Sequence, residues 1–370
     1  MIIVIGAGVI GASVAYRLAS AGAAVTLLDA GRIGGGTSST SFAWVNSHHK
    51  TPRAYHDLNF AGMQAHRELR EVFGDAPWWH GGGTIEWEGG TEDDHIKYRQ
   101  KVALLQSWDY AAEWLDHRQL LALEPDIDLT AVGDAPVAYF PDDGWIDPVV
   151  YCQALISAAK KFGAKVKLNT RVSSLTMTRQ RVTGTVTEDG TTHAADMVIN
   201  CTGRWADQTS FPTSLRVPLA PSAGLMVFTP PVASNVSRVI FSPNVHIRPD
   251  GAGRLLICRN DLDLSLSSGT TPSIDSPQVS ALLQAATKVL PALAGVEAEA
   301  VRVGIRAIPA DQFPAIGPIP DVDGYYVAVT HSGVTLAPYI GLAVADELLN
   351  KAIRSELESF RPSRFASQSR

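Results

Sequence analysis

The sequence predicts an α/β (α+β) fold: a central parallel sheet of the doubly wound kind, intertwined with an antiparallel-sheet domain. Three observations predict it. A strand, a glycine turn, a helix and a second strand are compressed into the first 29 residues. Buried-strand character returns near residue 197 and again near 325. Between these segments lie two blocks of short alternating strands punctuated by Pro, Asn, Asp and Gly.

The elements follow in order. Ile2–Ile5 is a continuous apolar run, as a parallel strand buried on both faces requires. Over residues 9–20, Val9, Ile10, Val14, Ala15 and Leu18 fall near one helical face, and Gly22 suits a C-cap. Residues 24–28 form a second buried strand ending in Asp29. A Gly/Ser/Thr loop spans 31–41. Helices are expected over 55–73, 96–110 and 118–124, the last stopped by Pro125, with a short strand at 84–88. A helix over 148–162 is entered at Asp147-Pro148 and left at Gly163. Strands follow at 165–168, 182–186 and 197–201. Residues 238–248 and 254–259 read as a hairpin around Pro249-Asp250-Gly251. A helix at 279–289, a parallel strand at 325–329 and a helix at 335–350 complete the chain. The polar tail 361–370 is expected to fray. The order implies a discontinuous nucleotide-binding domain (1–76, 147–215 and 302–365) and a substrate domain (77–146 and 216–301).

Composition narrows the function classes. A chain of 370 residues, 45% hydrophobic and 18% charged, can bury one large core or two linked ones. Its net charge of −6 supplies no global basic field for nucleic acid. Cys152, Cys201 and Cys258 show no metal-ligand spacing and read as core residues of a protein in a reducing compartment. The histidines show neither HxH nor HExxH spacing, so no metal site is expected. No apolar run reaches the roughly 18–20 residues that span a bilayer. The N-terminal apolar run lacks a basic flank. A cytoplasmic location without an integral membrane segment is expected.

Gly6-Ala7-Gly8-Val9-Ile10-Gly11 fits G-x-G-x-x-G within a βαβ unit. The first glycine permits the tight turn, the second admits a pyrophosphate against the backbone, and the third lets helix and strand pack closely. The helix N-terminus, at Val9 and Ile10, offers free N–H groups and a partial positive charge to phosphate. Asp29, followed by Ala30, is placed to accept ribose hydroxyls. The motif predicts a Rossmann-like dinucleotide site and leaves NAD and FAD both open.

Later blocks decide between them. Residues 198–206, which contain Cys201-Thr202-Gly203-Arg204-Trp205, resemble the second nucleotide signature of two-domain flavoproteins. Thr170-Arg171-Val172 resembles the segment whose backbone meets the adenine; an ordinary strand end is the other reading of Val172. With Pro141-Asp142-Asp143-Gly144-Trp145-Ile146-Asp147-Pro148, the run 304–317 around Arg306 and the run 325–338, the chain resembles, over nearly its whole length, the D-amino-acid oxidase, glycine oxidase and sarcosine oxidase family of FAD-dependent oxidoreductases.

That resemblance implies FAD, and the absence of a cysteine in the last block implies noncovalent FAD, with His331 the conceivable attachment point. Gly36, Thr37, Ser38 and Ser39 would cover the pyrophosphate and ribityl chain, and the stretch from Thr40 to Trp44 would run under the isoalloxazine; the alternative is a mobile solvent loop. Thr202, Gly203 and Trp205 would complete the nucleotide site. Ser332, Gly333, Val334, Thr335 and Leu336 would face the flavin N1–C2=O end. Arg306 would hold a substrate carboxylate through its guanidinium fork, or else pair with Asp311. Ala307 departs from the family's usual proline. His246, flanked on one face by Asn244 and Arg248, would stand at the roof of the substrate pocket or lie on an exposed sheet face. His48 and His49 would line the pocket mouth.

The implied reaction is oxidation of a small carboxylate-bearing amine (a D-amino acid, glycine or an N-alkyl amino acid) by hydride transfer to flavin N5. The imine would hydrolyse to a keto acid, and oxygen or another acceptor would take the electrons. Two further readings stay open. One is a 2-hydroxy-acid or amino-acid dehydrogenase passing electrons to a quinone or partner subunit. The other is a non-catalytic FAD-binding interaction protein. Homo-oligomerisation is left open too.

Overall fold

A computed structural model describes residues 1–208, 212, 215–259 and 270–366. The central sheet has six strands in the order Ala315–Pro318, Tyr325–Val329, Met197–Asn200, Ile2–Ile5, Val25–Leu28, Lys165–Lys167. All neighbours run parallel except the Ala315–Pro318 edge. Ile3 sits between Val198 and Thr26 in register. The first, middle and last parts of the chain therefore read alike because they are neighbours in one sheet. Each buried Val, Ile or Leu there contributes about 1.5–3 kcal/mol.

Helix Val9–Ser20 packs against helices Pro148–Lys161 and Gly333–Ala345. The approach is close: a Cβ on Gly341 would fall 2.7 Å from the Ser13 carbonyl oxygen. Helix Arg53–Phe73 crosses the start of Gly333–Ala345 just as tightly, with Gly62 against the Thr335 carbonyl. Asp147 caps Pro148–Lys161 by accepting from the Val149 and Val150 amides, each at 3.0 Å.

The second large sheet has eight strands in the order Ala300–Ile305, Ala223–Phe228, Leu255–Cys258, His246–Pro249, Val239–Phe241, Thr84–Trp87, Val137–Phe140, Glu113–Leu115. It is antiparallel except where Val239–Phe241 pairs with Thr84–Trp87. Strand Ala300–Ile305 runs across the expected division at residue 302.

Several elements differ from expectation. The strand read over 238–248 breaks at 242–245, where Ser242 Oγ donates to the Val245 carbonyl at 2.6 Å and closes a turn. The hairpin itself pairs His246–Pro249 with Leu255–Cys258. The helix expected from residue 96 begins at Glu92, because Thr91 and Asp94 form a capping box, and it ends at Gln106. The last long helix starts at Gly333, two residues early. Strand Val172–Thr178 and the two-residue strands Trp44–Val45 and Trp79–His80 were not expected. The tail does not fray up to residue 366: Arg361 Nη1 lies 2.8 Å from Glu347, Arg364 pairs with Asp311, and Phe365 is buried. Residues 367–370, and 260–269 within the expected substrate domain, lie outside the described residues.

Candidate active site

A cavity of about 920 Å³ takes its walls from both large sheets, and its volume is near the top of the range for small-molecule and cofactor sites. At one end is the glycine turn. Gly6 has φ +107°, and a Cβ on it would fall 2.5 Å from the Cys201 carbonyl oxygen. The two predicted nucleotide loops are thus pressed together, and only glycine fits the contact. Gly8, Val9, Ile10, Thr202, Gly203 and Trp205 line the cavity beside them. Gly11 does not reach it; a Cβ there would overlap the Gly6 carbonyl, so its place is in the helix–strand contact.

Asp29 and Ala30 both line the cavity. The Asp29 carboxylate already organises the turn: Oδ2 accepts from the Ala7 amide and Oδ1 from the Gly31 amide, both at 2.7 Å. Each oxygen keeps a lone pair for a further donor. Val172 lines the far end, next to Arg171 and Glu188.

The Gly/Ser loop packs against the glycine turn and the strand end at Ile305. Residues Thr37–Thr40 form a 3₁₀ turn. Thr37 Oγ1 donates to the Ile305 carbonyl at 2.7 Å, and the Val9 amide donates to Ser38 Oγ at 3.2 Å. Gly36, Thr37, Ser38 and Thr40 line the cavity; Ser39 instead bonds back to the Gly36 carbonyl. Phe42, Ala43 and Trp44 continue the wall.

The C-terminal turn closes it. Ser332, Gly333, Val334 and Thr335 line the cavity, while Leu336 is fully buried in the core. Because the helix starts at Gly333, the Leu336 amide is spent on the Ser332 carbonyl at 2.9 Å. The amides of Gly333 to Thr335, in the first helical turn, are the ones left for the cavity. Helix Arg53–Phe73 braces this turn: Tyr55 Oη and Ser332 Oγ are 2.6 Å apart, and His66 Nε2 donates to the Val334 carbonyl at 2.9 Å. Burial holds the His66 pKa at about 4, so its ring is neutral near pH 7.

Arg306 lines the same cavity. Its guanidinium lies across Gly224, where a Cβ would fall 2.8 Å from Nη2, and Nη1 donates to the Ala223 carbonyl at 3.0 Å. The alternative pairing with Asp311 does not occur, since Arg364 takes that carboxylate through two nitrogens. His246 is buried, stacked on Phe241 with ring centroids 3.6 Å apart, and lines the cavity, so the exposed-face reading is corrected. Asn244 precedes the strand and is exposed, whereas Arg248 is buried and bonds the Phe42 carbonyl at 2.6 Å. His331 opens to the cavity; crowding by the protein, then the charges of Lys50 and Arg306, lower its pKa to about 4.

Sequence reasoning missed Lys50, Glu86 and Phe241. Lys50 lines the cavity, and burial brings its pKa down to about 8 although Asp143 opposes the shift. Of the two neighbouring histidines, only His49 reaches the cavity; His48 is buried behind it. Both point Nε2 at Oε2 of the fully buried Glu86, at 2.8 Å from His48 and 2.7 Å from His49. Lys101 Nζ donates to Glu86 Oε1 at 2.9 Å. The His48, His49 and Glu86 donor atoms lie within 4.8 Å of one another, a spacing a metal ion could share, but the ammonium of Lys101 already fills the carboxylate. Cys152, Cys201 and Cys258 are all buried and none is in a disulfide, and burial pushes the first two thiols up.

The residues present fit a flavin dinucleotide. The cavity is continuous from the Arg171 end, past a glycine turn with no side chain in the way, to the helix start at Gly333. No described helix is long and apolar enough to cross a membrane. Comparison with known proteins agrees. The chain is 25% identical to a glycine oxidase of Bacillus licheniformis, over 98% of this chain and 96% of that protein. It is 24% identical to hydrogen cyanide synthase subunit HcnC of Pseudomonas aeruginosa, over 98% and 96%. The crystal structure of glycine oxidase from Geobacillus kaustophilus superposes with a TM-score of 0.84 at 25% identity, covering 98% of each chain. A family model described as FAD dependent oxidoreductase matches residues 1–347, and the chain belongs to that family of FAD-containing oxidoreductases.

Proposed function

We propose that this protein oxidises a small amine that carries a carboxylate. One observation supports this above the others: Arg306, laid over Gly224, opens into the same cavity as the glycine turn and the Gly333 helix start. Its planar fork suits two parallel hydrogen bonds to a carboxylate, which would fix the substrate carbon in one place. Arg306, His246 and Phe241 form the substrate end, with Lys50 a second cation there. The glycine turn, Asp29, the Thr37–Thr40 turn, Val172, Thr202, Gly203 and Trp205 hold the nucleotide. The amides of Gly333, Val334 and Thr335 stabilise negative charge at the ring end. Bound FAD would supply the two-electron acceptor for a hydride from the substrate carbon. The division into a cofactor part (1–76, 147–215, 302–365) and a substrate part (77–146, 216–301) follows the same reading.

The experiment is anaerobic bleaching of the yellow holoprotein by glycine, N-methylglycine, D-alanine and iminodiacetate. At least one is expected to bleach it; bleaching by none of them, with a 2-hydroxy acid succeeding, would replace amine oxidation by hydroxy-acid oxidation. Acid precipitation should release all FAD, as noncovalent binding requires. The likeness to a synthase subunit favours one second reading, a dehydrogenase that hands electrons to a partner. Oxygen consumption with and without an artificial acceptor separates the two.

A further inference from the structure

The substrate end of the cavity carries positive charge with no lining carboxylate to match it among the described residues. The acids that line the cavity are Asp29, which holds the glycine turn, and Glu188, which lies 3.2 Å from Arg171. Both stand at the nucleotide end. The substrate end has two cationic side chains, Arg306 and Lys50.

The two are held differently. Arg306 lies across Gly224 and donates from Nη1 to the Ala223 carbonyl. Lys50 enters on a tight turn, its amide donating to the Ser47 carbonyl at 3.0 Å, and its ammonium forms no hydrogen bond or ion pair with the described residues. Asp143 is the carboxylate that acts on it, but that group is turned to Tyr110 and to His48 Nδ1, 3.2 Å away. Burial brings the Lys50 pKa down to about 8, so most of the ammonium is still charged at pH 7. Three N–H donors out of bulk water and without a partner are unfavourable, and a ligand oxygen would meet them. Lys50 and Arg306 also have a common neighbour: their charges join burial in lowering the His331 pKa to about 4. The other imidazoles of this end have places of their own. His49 Nε2 faces Glu86 at 2.7 Å, and His246 is stacked on Phe241.

We propose that Lys50 takes a second carboxylate, so that the substrate is an amine bearing two acid groups, one held by Arg306 and one by Lys50. The inference rests on the amine-oxidation reading and narrows it to a substrate class. Lys50 makes and breaks no covalent bond; it binds and orients. A molecule with a single carboxylate leaves the Lys50 ammonium unmet and is free to turn about its contact with Arg306. Two carboxylates on two cations fix both ends, and with them the carbon that gives up hydride. An apolar group at the second position would leave Lys50 desolvated and unpaired, so the site selects against monoacids as well as for diacids.

The test uses holoenzyme near pH 7 and two readouts. The first needs no turnover. Malonate, succinate and glutarate are titrated against the flavin absorbance, beside propanoate, butanoate and pentanoate, chains of the same length with one acid. The best diacid should bind roughly 10- to 100-fold more tightly than its monoacid, and in Lys50→Met that ratio should fall to about 1. The second readout is the second-order rate of anaerobic bleaching by pairs of amines that differ by one carboxylate: iminodiacetate with N-methylglycine, D-aspartate with D-alanine, D-glutamate with D-2-aminobutyrate. In at least one pair the diacid should be faster by a similar factor, and Lys50→Met should abolish the advantage. Lys50→Gln carries both comparisons if Lys50→Met does not fold. An equal loss for monoacids and diacids assigns Lys50 to the flavin or to the fold and overturns the inference. So does a wild type with no preference for diacids, or a preference that survives without Lys50. Bleaching by the monoacid amines alone overturns the second carboxylate and leaves amine oxidation standing; bleaching by none of the six overturns amine oxidation, and the substrate class with it.

Discussion

Gly224→Ala perturbs Arg306 without touching it. A Cβ on Gly224 falls 2.8 Å from Nη2 and 3.0 Å from Cζ of Arg306, where an ordinary contact begins at 3.4 Å. The guanidinium must therefore move by about 0.6 Å. It moves rather than the strand, because the clash is with the end of a flexible side chain. Its bond to the Ala223 carbonyl, 3.0 Å, is strained by the same shift. A fork displaced by that much keeps one of its two bonds to a carboxylate, and a charge-assisted bond is worth about 1.5–3 kcal/mol. The KM for the substrate should rise about 10- to 150-fold, with flavin content and melting temperature unchanged. Arg306→Ala sets the ceiling for the effect. Steady-state kinetics with the bleaching amine, beside the flavin-to-protein absorbance ratio, make the measurement. An unchanged KM in Gly224→Ala with full flavin would refute the placement of the carboxylate on Arg306.

Other outcomes are expected. Asp29→Ala orphans the Ala7 and Gly31 amides and removes the ribose acceptor; apoprotein stability should drop by about 2 kcal/mol and FAD should dissociate at least tenfold more readily, read by FAD fluorescence. Gly341→Ala places a methyl against the Ser13 carbonyl and should cost about 1–3 kcal/mol in a urea titration. His66 stays neutral in the fold down to about pH 4, whereas in the unfolded chain it takes up a proton below 6.5. Falling pH therefore favours unfolding between 6.5 and about 4, by about 3 kcal/mol from this residue alone, and the His66 contribution is flat above 6.5. His66→Gln should flatten that slope; a slope unchanged from wild type would contradict it.

The nucleotide end was legible because its chemistry is backbone chemistry. Gly6, Gly8 and Gly11 are glycines for steric reasons that leave a spaced signature, and the Cys201 carbonyl that presses on Gly6 comes from the signature at 198–206. The substrate end was legible at Arg306 and His246, which sit in family-like runs, and at His49 of the expected pocket-mouth pair. Glu86 was invisible: Thr84–Trp87 reads as an ordinary strand, and nothing along the chain shows that its one carboxylate meets two histidines from residues 48 and 49. Phe241 was hidden by a similar cause, since the strand break at Ser242 that sets its ring against His246 depends on one hydroxyl bond. The two-residue strands Trp44–Val45 and Trp79–His80 are too short for any period to register.

The order of strands in the central sheet also sets a timetable for synthesis. Tyr325–Val329 is the neighbour of Met197–Asn200, so that strand waits for its partner while the intervening residues are made. At ~5–20 residues per second the wait is roughly 6–25 s. During it the Val198–Asn200 edge stands unpaired and wholly apolar in its neighbours, the kind of edge that joins the wrong chain. The nascent protein is thus most exposed to aggregation while its last third is being made, and slower translation of that third should lower soluble yield more than the same slowing of the first.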